Sequence, residues 1–575
     1  VLVALGTLWR GTTAPAAQAP AARWWSHVEF LASDEMQGRE TGCPQHRKAA
    51  QYVAEHFAKA GLRTTLDGNA PARADAFIQA VSFSSSKIVE QKSSLALVRN
   101  GVVDPVVLGD EATINMRIVP AAHVEAPIVF VGHGLTVPER GHDDLAGVDL
   151  KGKIAMILTG GPSSIPGPLL AHYQQAGERW AFLKQAGAIG VLSIQNPRGQ
   201  DIPWERSMLA RFNPAMAIRD RALDETAGQQ IAVTINPARA DKFLAGSGHD
   251  FKSLLALHDA GKKLPAFPVP AVLRADVSVA TTNIESQNVA GIWPGTDPVL
   301  KNEFIVVTAH LDHMGVGQPI RSDEIYNGAM DNASGIATLL EMVSAISEQK
   351  LTLKRSLVFV AVTAEEKGLL GSRYYAQRPT VQAARIVANV YTDMFLPLFP
   401  LKSIIAQGLE ESDLAGDLRA AAKRASVQVF SDPEPERNAF TRSEQYSFIR
   451  RGVPAISLKV GFVKDSPEHD IVKRWRTERY HAPSDDLSQP IDRKSADDFN
   501  HVYLQFIQEV ANRPTRPAWN SDSFFRRFAT PGPYIAVMCA TPGHMERTDA
   551  GEDVCVQTGG VQCVDVPFDY PGSGT

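Results

Sequence analysis

A regular alternation of strand-like and helix-like segments begins after Asn283, and it restricts the fold of this 575-residue chain more than any other feature. Residues 303–309 form a short apolar run of the kind that a strand buried on both faces requires. Helical spacing follows over 333–348, then a strand over 357–363, a helix over 369–377 and a strand over 386–391. A late strand at 453–458 and a closing helix at 495–511 complete the series. Strands and helices in this order predict an α/β fold: a mixed, mostly parallel sheet sandwiched by helices. In such a sheet, ligands gather at the carboxyl ends of the strands.

The rest of the chain divides around that core. Residues 24–33 and 45–61 read as helices; in the second, Ala49, Val53, Phe57 and Ala60 share a face and Gly61 is a natural stop. From residue 126 the texture changes to short strands (126–131, 154–158, 189–194) and one helical stretch, 173–186, among Gly- and Pro-rich loops. This predicts a separate β-rich module over 119–282, inserted into an α/β domain made from 23–118 and 283–518. Residues 519–575 are expected to be an appendage that holds Cys539, Cys555 and Cys563 but shows no sustained period. With Cys43 elsewhere and no CxxC spacing, a structural zinc site is not indicated, and the terminal cluster can close at most one internal disulfide. The apolar run 1–6 and the small residues 14–19 suggest that 1–22 is the end of a secretory signal, which would make the protein secreted or periplasmic. A disordered Ala/Pro leader is the other reading.

Charge narrows the partners. The net charge is -5 and no Lys/Arg tract occurs, so nothing marks a nucleic-acid or anionic-membrane surface. No run is apolar for long enough to span a bilayer. A small molecule or a peptide remains.

Seven polar residues stand at or near predicted strand ends: His310, Asp312, Asp331, Glu365, Glu366, Asp393 and His481. His310 and Asp312 are two apart on extended backbone and should project together, the imidazole to a metal and the carboxylate behind it to fix its tautomer. His313 should face elsewhere. Asp331 lies in a turn-rich stretch before a helix, where it suits a carboxylate shared by two cations about 3.5–4 Å apart and equally a helix N-cap. Glu365 and Glu366 are adjacent and point apart. One can therefore bind metal while the other takes a proton from metal-activated water, although such a pair can also merely complement a helix dipole. Together two His, two Asp and a Glu offer oxygen and nitrogen donors in proportions that suit zinc.

The wording of these segments resembles peptidase family M28. The resemblance runs over residues 24–525 and rests on Gly38-Arg39-Glu40-Thr41-Gly42, His310-Leu311-Asp312-His313, Asn327-Gly328-Ala329-Met330-Asp331-Asn332, Thr363-Ala364-Glu365-Glu366 and Tyr480-His481-Ala482-Pro483-Ser484-Asp485. The inserted module resembles a protease-associated (PA) domain. The resemblance implies two Zn2+ ions bridged by Asp331, one completed by His310 and Asp393 and the other by Glu366 and His481. It further implies Glu365 as general base, a cis Asp331–Asn332 peptide and peptide substrates cut at the N-terminus. A loop that commonly carries Asp has Glu444 here, and Glu444 and Tyr446 are the candidates for substrate contact. Rival readings are a carboxypeptidase using a cation such as Arg442, a single-zinc glutaminyl cyclase, and a silent binding protein; filled ligand positions speak against the last two.

Overall fold

The computed structural model describes residues 20–68, 72–199 and 202–529, with the backbone of 544–547 and 553–556. The expected leader falls mainly, and Cys539 and Cys563 wholly, outside the described residues. Residues up to Phe528 form one compact unit, and Ala529–Thr575 a second. In the second, His544–Arg547 pairs antiparallel with Asp553–Val556. The appendage therefore starts later than expected. Phe525 is fully buried beside Phe440, and the Trp519 indole donates to the Gly452 carbonyl at 2.9 Å.

Nine strands form the principal sheet among the described residues, in the order Ala215–Ile218, Ile78–Ile88, Val279–Trp293, Ser356–Val362, Phe304–His310, Ile386–Tyr391, Ala455–Val460, Ser403–Gln407, Gln428–Ser431. The four strands from 356–362 to 455–460 are parallel. The pairings that flank them are antiparallel, except for 403–407 with 428–431. The sheet is thus mixed, with parallel pairing concentrated where the polar residues sit. Phe304–His310 is buried at every position, as its largely apolar run demands.

Helices cover both faces. Pro20–Leu31, Pro44–Ala60, Ser334–Glu348 and Arg493–Asn512 pack on one core around Phe57, Phe359 and Phe499. Leu370–Gln377 and Gln445–Ile449 close the other. Pro44–Ala60 shows why local sequence suffices for such a helix. Pro44 needs no N–H partner at the first turn, Cys43 Sγ accepts from the His46 N–H at 3.2 Å, and Gly61 takes the left-handed φ of 83° that ends it.

A second sheet, eight-stranded among the described residues, uses Ser94–Arg99, Val102–Pro105, Ala112–Ile114, His123–Val131, Ile154–Leu158, Gly190–Ile194, Ile231–Ile235 and Ala266–Asp276. It begins well before residue 119, so the expected boundary is too late. Long strands carry the chain in and out: Ile78–Ile88 pairs with Val279–Trp293 from Ile78↔Val289 to Ile88↔Val279. Nor is the insert self-contained, because its Ala215–Ile218 strand returns to edge the principal sheet.

Candidate metal centre

Six segments meet at the carboxyl end of the parallel strands. His310 ends its strand, Glu365 and Glu366 follow Ser356–Val362, and Asp393 follows Ile386–Tyr391. Asp331 lies in the turn before Ser334–Glu348, with a cis peptide to Asn332, as the resemblance implied. His481 follows Pro467–Glu478. The segment that holds Arg39 and Thr41 packs behind them. Ala364 and His481 have φ of 57° and 52°, left-handed conformations that L residues adopt at a cost and that collect at functional sites.

Asp331 divides its oxygens between two groups. Its Oδ1 is 3.2 Å from His310 Nε2, which lies 3.4 Å from Asp393 Oδ1. Its Oδ2 is 3.3 Å from His481 Nε2, which lies 3.1 Å from Glu366 Oε2. All five residues expected as ligands are brought together. His313, expected to face away, does not: its Nδ1 is 2.8 Å from Glu366 Oε1 and 4.0 Å from Asp331 Oδ2. The chain leaves its strand at His310, so the two-residue alternation used for that expectation no longer applies.

The donor set fits cations. His310 Nε2, Asp393 Oδ1, Glu366 Oε1 and both His313 nitrogens are buried without a well-directed hydrogen bond, the short His313–Glu366 approach included, a costly condition unless something positive completes them. Electrostatics agree. Burial opposes charging His310, yet Asp331 and Asp393 push it well above the usual imidazole range. Burial likewise opposes charging His481, and Glu366 leads the groups that raise it. For Glu366 burial is outweighed by His481 and His313, which hold it well below the usual carboxylate range. These carboxylates are short of positive charge. Two subsets lie close enough to share an ion: His310, Asp331 and Asp393, and His313, Asp331 and Glu366.

Glu365 differs from its neighbour. Its carboxyl lines the adjoining cavity together with Asp331, Asp393 and His481. Burial first, and then the nearby Glu444 carboxyl, push it well above the ordinary range.

Asp312 has another task than expected. The His310 ring is held through Nδ1 by the backbone carbonyl of Asp312, at 3.0 Å. The Asp312 carboxylate instead accepts the Glu365 N–H at 3.0 Å, the Glu366 N–H at 3.3 Å and the Thr41 hydroxyl at 3.1 Å. It therefore positions the glutamate pair. Two further positioning residues carry no local signal for their role. Buried Arg39 donates to the carbonyls of Leu311 (3.1 Å), Asn327 (2.7 Å), Gly328 (3.0 Å) and Leu31. Asp485 accepts the Met330 and Asp331 N–H groups at 2.9 and 3.0 Å, and burial pushes its pKa up to about 6.

The two candidates for substrate contact are not on the cavity wall. Glu444 is fully buried, its pKa pushed up to about 8 by burial, while its neighbours Arg442 and Ser443 line the space. Tyr446 is buried, and its hydroxyl meets His172 Nδ1 at 2.5 Å. Both follow from Gln445–Ile449 packing inward as a helix, which a loop reading of the segment missed.

Parts of the chain resemble known proteins. Residues 288–507 match the family model Peptidase family M28. Leupeptin-inactivating enzyme 1 of Streptomyces exfoliatus is 35% identical over 108 residues, 19% of this chain and 22% of that protein. Aminopeptidase YwaD of Bacillus subtilis (strain 168) is 22% identical over 389 residues, 67% of this chain and 69% of that protein. The matched stretch thus spans from about a fifth to about two thirds of these curated relatives. Carboxypeptidases as well as aminopeptidases are among the matches. Of solved structures, an aminopeptidase from Aneurinibacillus sp. strain AM-1 shares the fold with a TM-score of 0.52 at 22% identity, covering 86% of this chain and 95% of that one.

Proposed function

This chain belongs to peptidase family M28 through residues 288–507, and from that premise we propose that it is a di-zinc metalloaminopeptidase that removes N-terminal residues from peptides. The observation that carries the proposal is the division of Asp331 between His310–Asp393 and His481–Glu366, with Glu365 beside both and committed to neither. Two divalent ions in these groups would supply acidified water and polarise the scissile carbonyl.

The protein's own residues do the rest. Asp312 holds the Glu365 and Glu366 amides, so that the first carboxyl faces the cavity while the second faces His481. Glu365 takes the proton of the attacking water and returns it to the leaving amine. His310, pinned at Nδ1 by the Asp312 carbonyl, presents Nε2 to the site.

A panel of aminoacyl, N-blocked and carboxyl-terminal reporter peptides, assayed with zinc-loaded protein and with Glu365→Gln, tests the reading. Only free-amine substrates should be cut, and the variant should lose roughly 10²–10⁴-fold in rate while keeping its metal. Cleavage of N-blocked peptides from the carboxyl end would instead favour the carboxypeptidase reading.

A further inference from the structure

The cavity that opens from Asp331, Glu365, Asp393 and His481 is not a plain apolar pocket. Its walls include Met394, Phe395, Phe462 and Trp475, but Lys459 is also on the wall. Strand register explains how close it lies to the chemistry. Ala455–Val460 runs parallel to the strand that ends before Asp393, with Asn389↔Ala455 and Tyr391↔Ser457. Lys459 lies two residues beyond Ser457 and Asp393 two beyond Tyr391, and Asp393 is the carboxylate that acts most strongly on Lys459. On its other side it faces Ile405, a second wall residue.

The charges around the cavity are unevenly matched. Arg476 is paired with Glu434 at 2.7 Å, and Glu434 also meets His469 Nε2 at 3.2 Å. Asp432 accepts the Glu434 N–H at 2.9 Å. Arg437 makes contacts of its own. Arg442 reaches the Arg437 carbonyl at 3.3 Å. Lys459 alone among these cations has neither a hydrogen bond nor an ion pair among the described residues; Asp393 and Asp432 act on it only at longer range, opposed by Arg437 and Arg476. Its Nζ is open to the cavity rather than sealed in the core, so the ammonium is available to a ligand and discriminates against ligands that cannot pair with it.

We propose that this cavity is a carboxylate-recognising subsite, in which Lys459 receives the acidic side chain of an N-terminal Asp or Glu residue. The inference rests on the aminopeptidase reading and names its substrate class. The side chain next to the attacked carbonyl is the part of a substrate nearest Asp393, and so nearest Lys459. A short peptide's C-terminal carboxylate offers the same chemistry from further away.

The test compares kcat/KM of the zinc-loaded full chain on the p-nitroanilides of Glu, Asp, Leu and Lys, which have no terminal carboxylate, and on Leu-Gly against Leu-Gly amide. The Glu and Asp anilides should be preferred over Leu and Lys. Lys459→Met should lower the Glu-to-Leu ratio by about 10–100-fold, and Lys459→Glu should shift preference toward the Lys anilide. A wild-type preference for Leu or Lys, or a ratio unmoved by either variant, overturns the inference while leaving aminopeptidase activity intact. Preference for Leu-Gly over its amide, abolished by Lys459→Met, would assign the lysine to the terminal carboxylate and also overturn it. If no anilide is cut at all, the aminopeptidase reading fails, and this inference with it.

Discussion

Asp312 shows how a single side chain decides the identity of its neighbours. Its two oxygens hold successive backbone N–H groups, so Glu365 and Glu366 leave the chain at fixed angles, one into the cavity and one toward His481. Asp312→Asn keeps an oxygen for one amide but turns an NH2 group against the other. Turnover should fall by about 10–100-fold, the usual loss for groups that support ligands, with the His310 orientation retained because a backbone carbonyl fixes it. Rates near wild type would show that the glutamate pair needs no such support. At this scale the sequence was informative about residue types and poor about directions. The two-residue alternation was valid up to His310 and failed one step later, where the strand ends. Hence the Asp312 carboxylate was given the wrong partner, and His313 was wrongly expected to face away. Glu444 and Tyr446 failed for the same kind of reason, since a short helix turned them inward.

Among elements, Arg39 joins parts that are distant along the chain. It lies in a turn after the first helix, yet satisfies carbonyls of the His310 loop and of the loop before Asp331. Its burial lowers its pKa to about 10, and it remains charged at neutral pH. Arg39→Met would leave several buried carbonyls without donors, each costing about 1–3 kcal/mol. Denaturant unfolding should register a loss of at least ~3 kcal/mol, and a loss under ~1 kcal/mol would mean that water replaces the guanidinium. The motif containing Arg39 was visible in the sequence, whereas three of its four partners, some 270 residues or more away, were not. The opposite case is Asn100-Gly101. This pair has φ of 49° and 79° and turns Ser94–Arg99 into Val102–Pro105, a two-residue hairpin signal present in the sequence. Reading it would have placed the start of the second sheet before residue 119.

For the whole molecule, the insert and the α/β domain are interdependent. Arg206 of the insert donates to the Thr477 and Tyr480 carbonyls at 2.6 and 3.1 Å, beside His481, and Arg117 to the Glu366 carbonyl at 2.9 Å. Periodicity exposed the strand–helix alternation because each strand is short and apolar. It could not show that the insert lends a strand back to the principal sheet. Stability should also depend on acid through the helices that cover the core. Burial lowers the pKa of both His27 and His46 to about 3, against an ordinary value of 6.5. Both are therefore neutral in the fold, and their contribution is complete above pH 6.5 and lost as pH falls toward about 3. At about pH 5 each costs about 2 kcal/mol. Thermal melts should show His46→Gln losing less stability than wild type between neutral pH and about pH 5; parallel acid limbs would place the sensitivity elsewhere.

Among the described residues no helix is long and apolar enough to cross a membrane. The proposed chemistry centres on the site that Asp331 divides. Equilibrium zinc binding by the full chain, compared with Asp331→Ala, tests that division most directly. Removing the shared carboxylate deprives both groups at once and leaves two cations to repel at short range. The wild type should bind two equivalents and the variant well under two, with hydrolysis of aminoacyl reporters lost in parallel. Two tightly held zinc ions in Asp331→Ala would show that another residue joins the groups and that the centre is not built around Asp331.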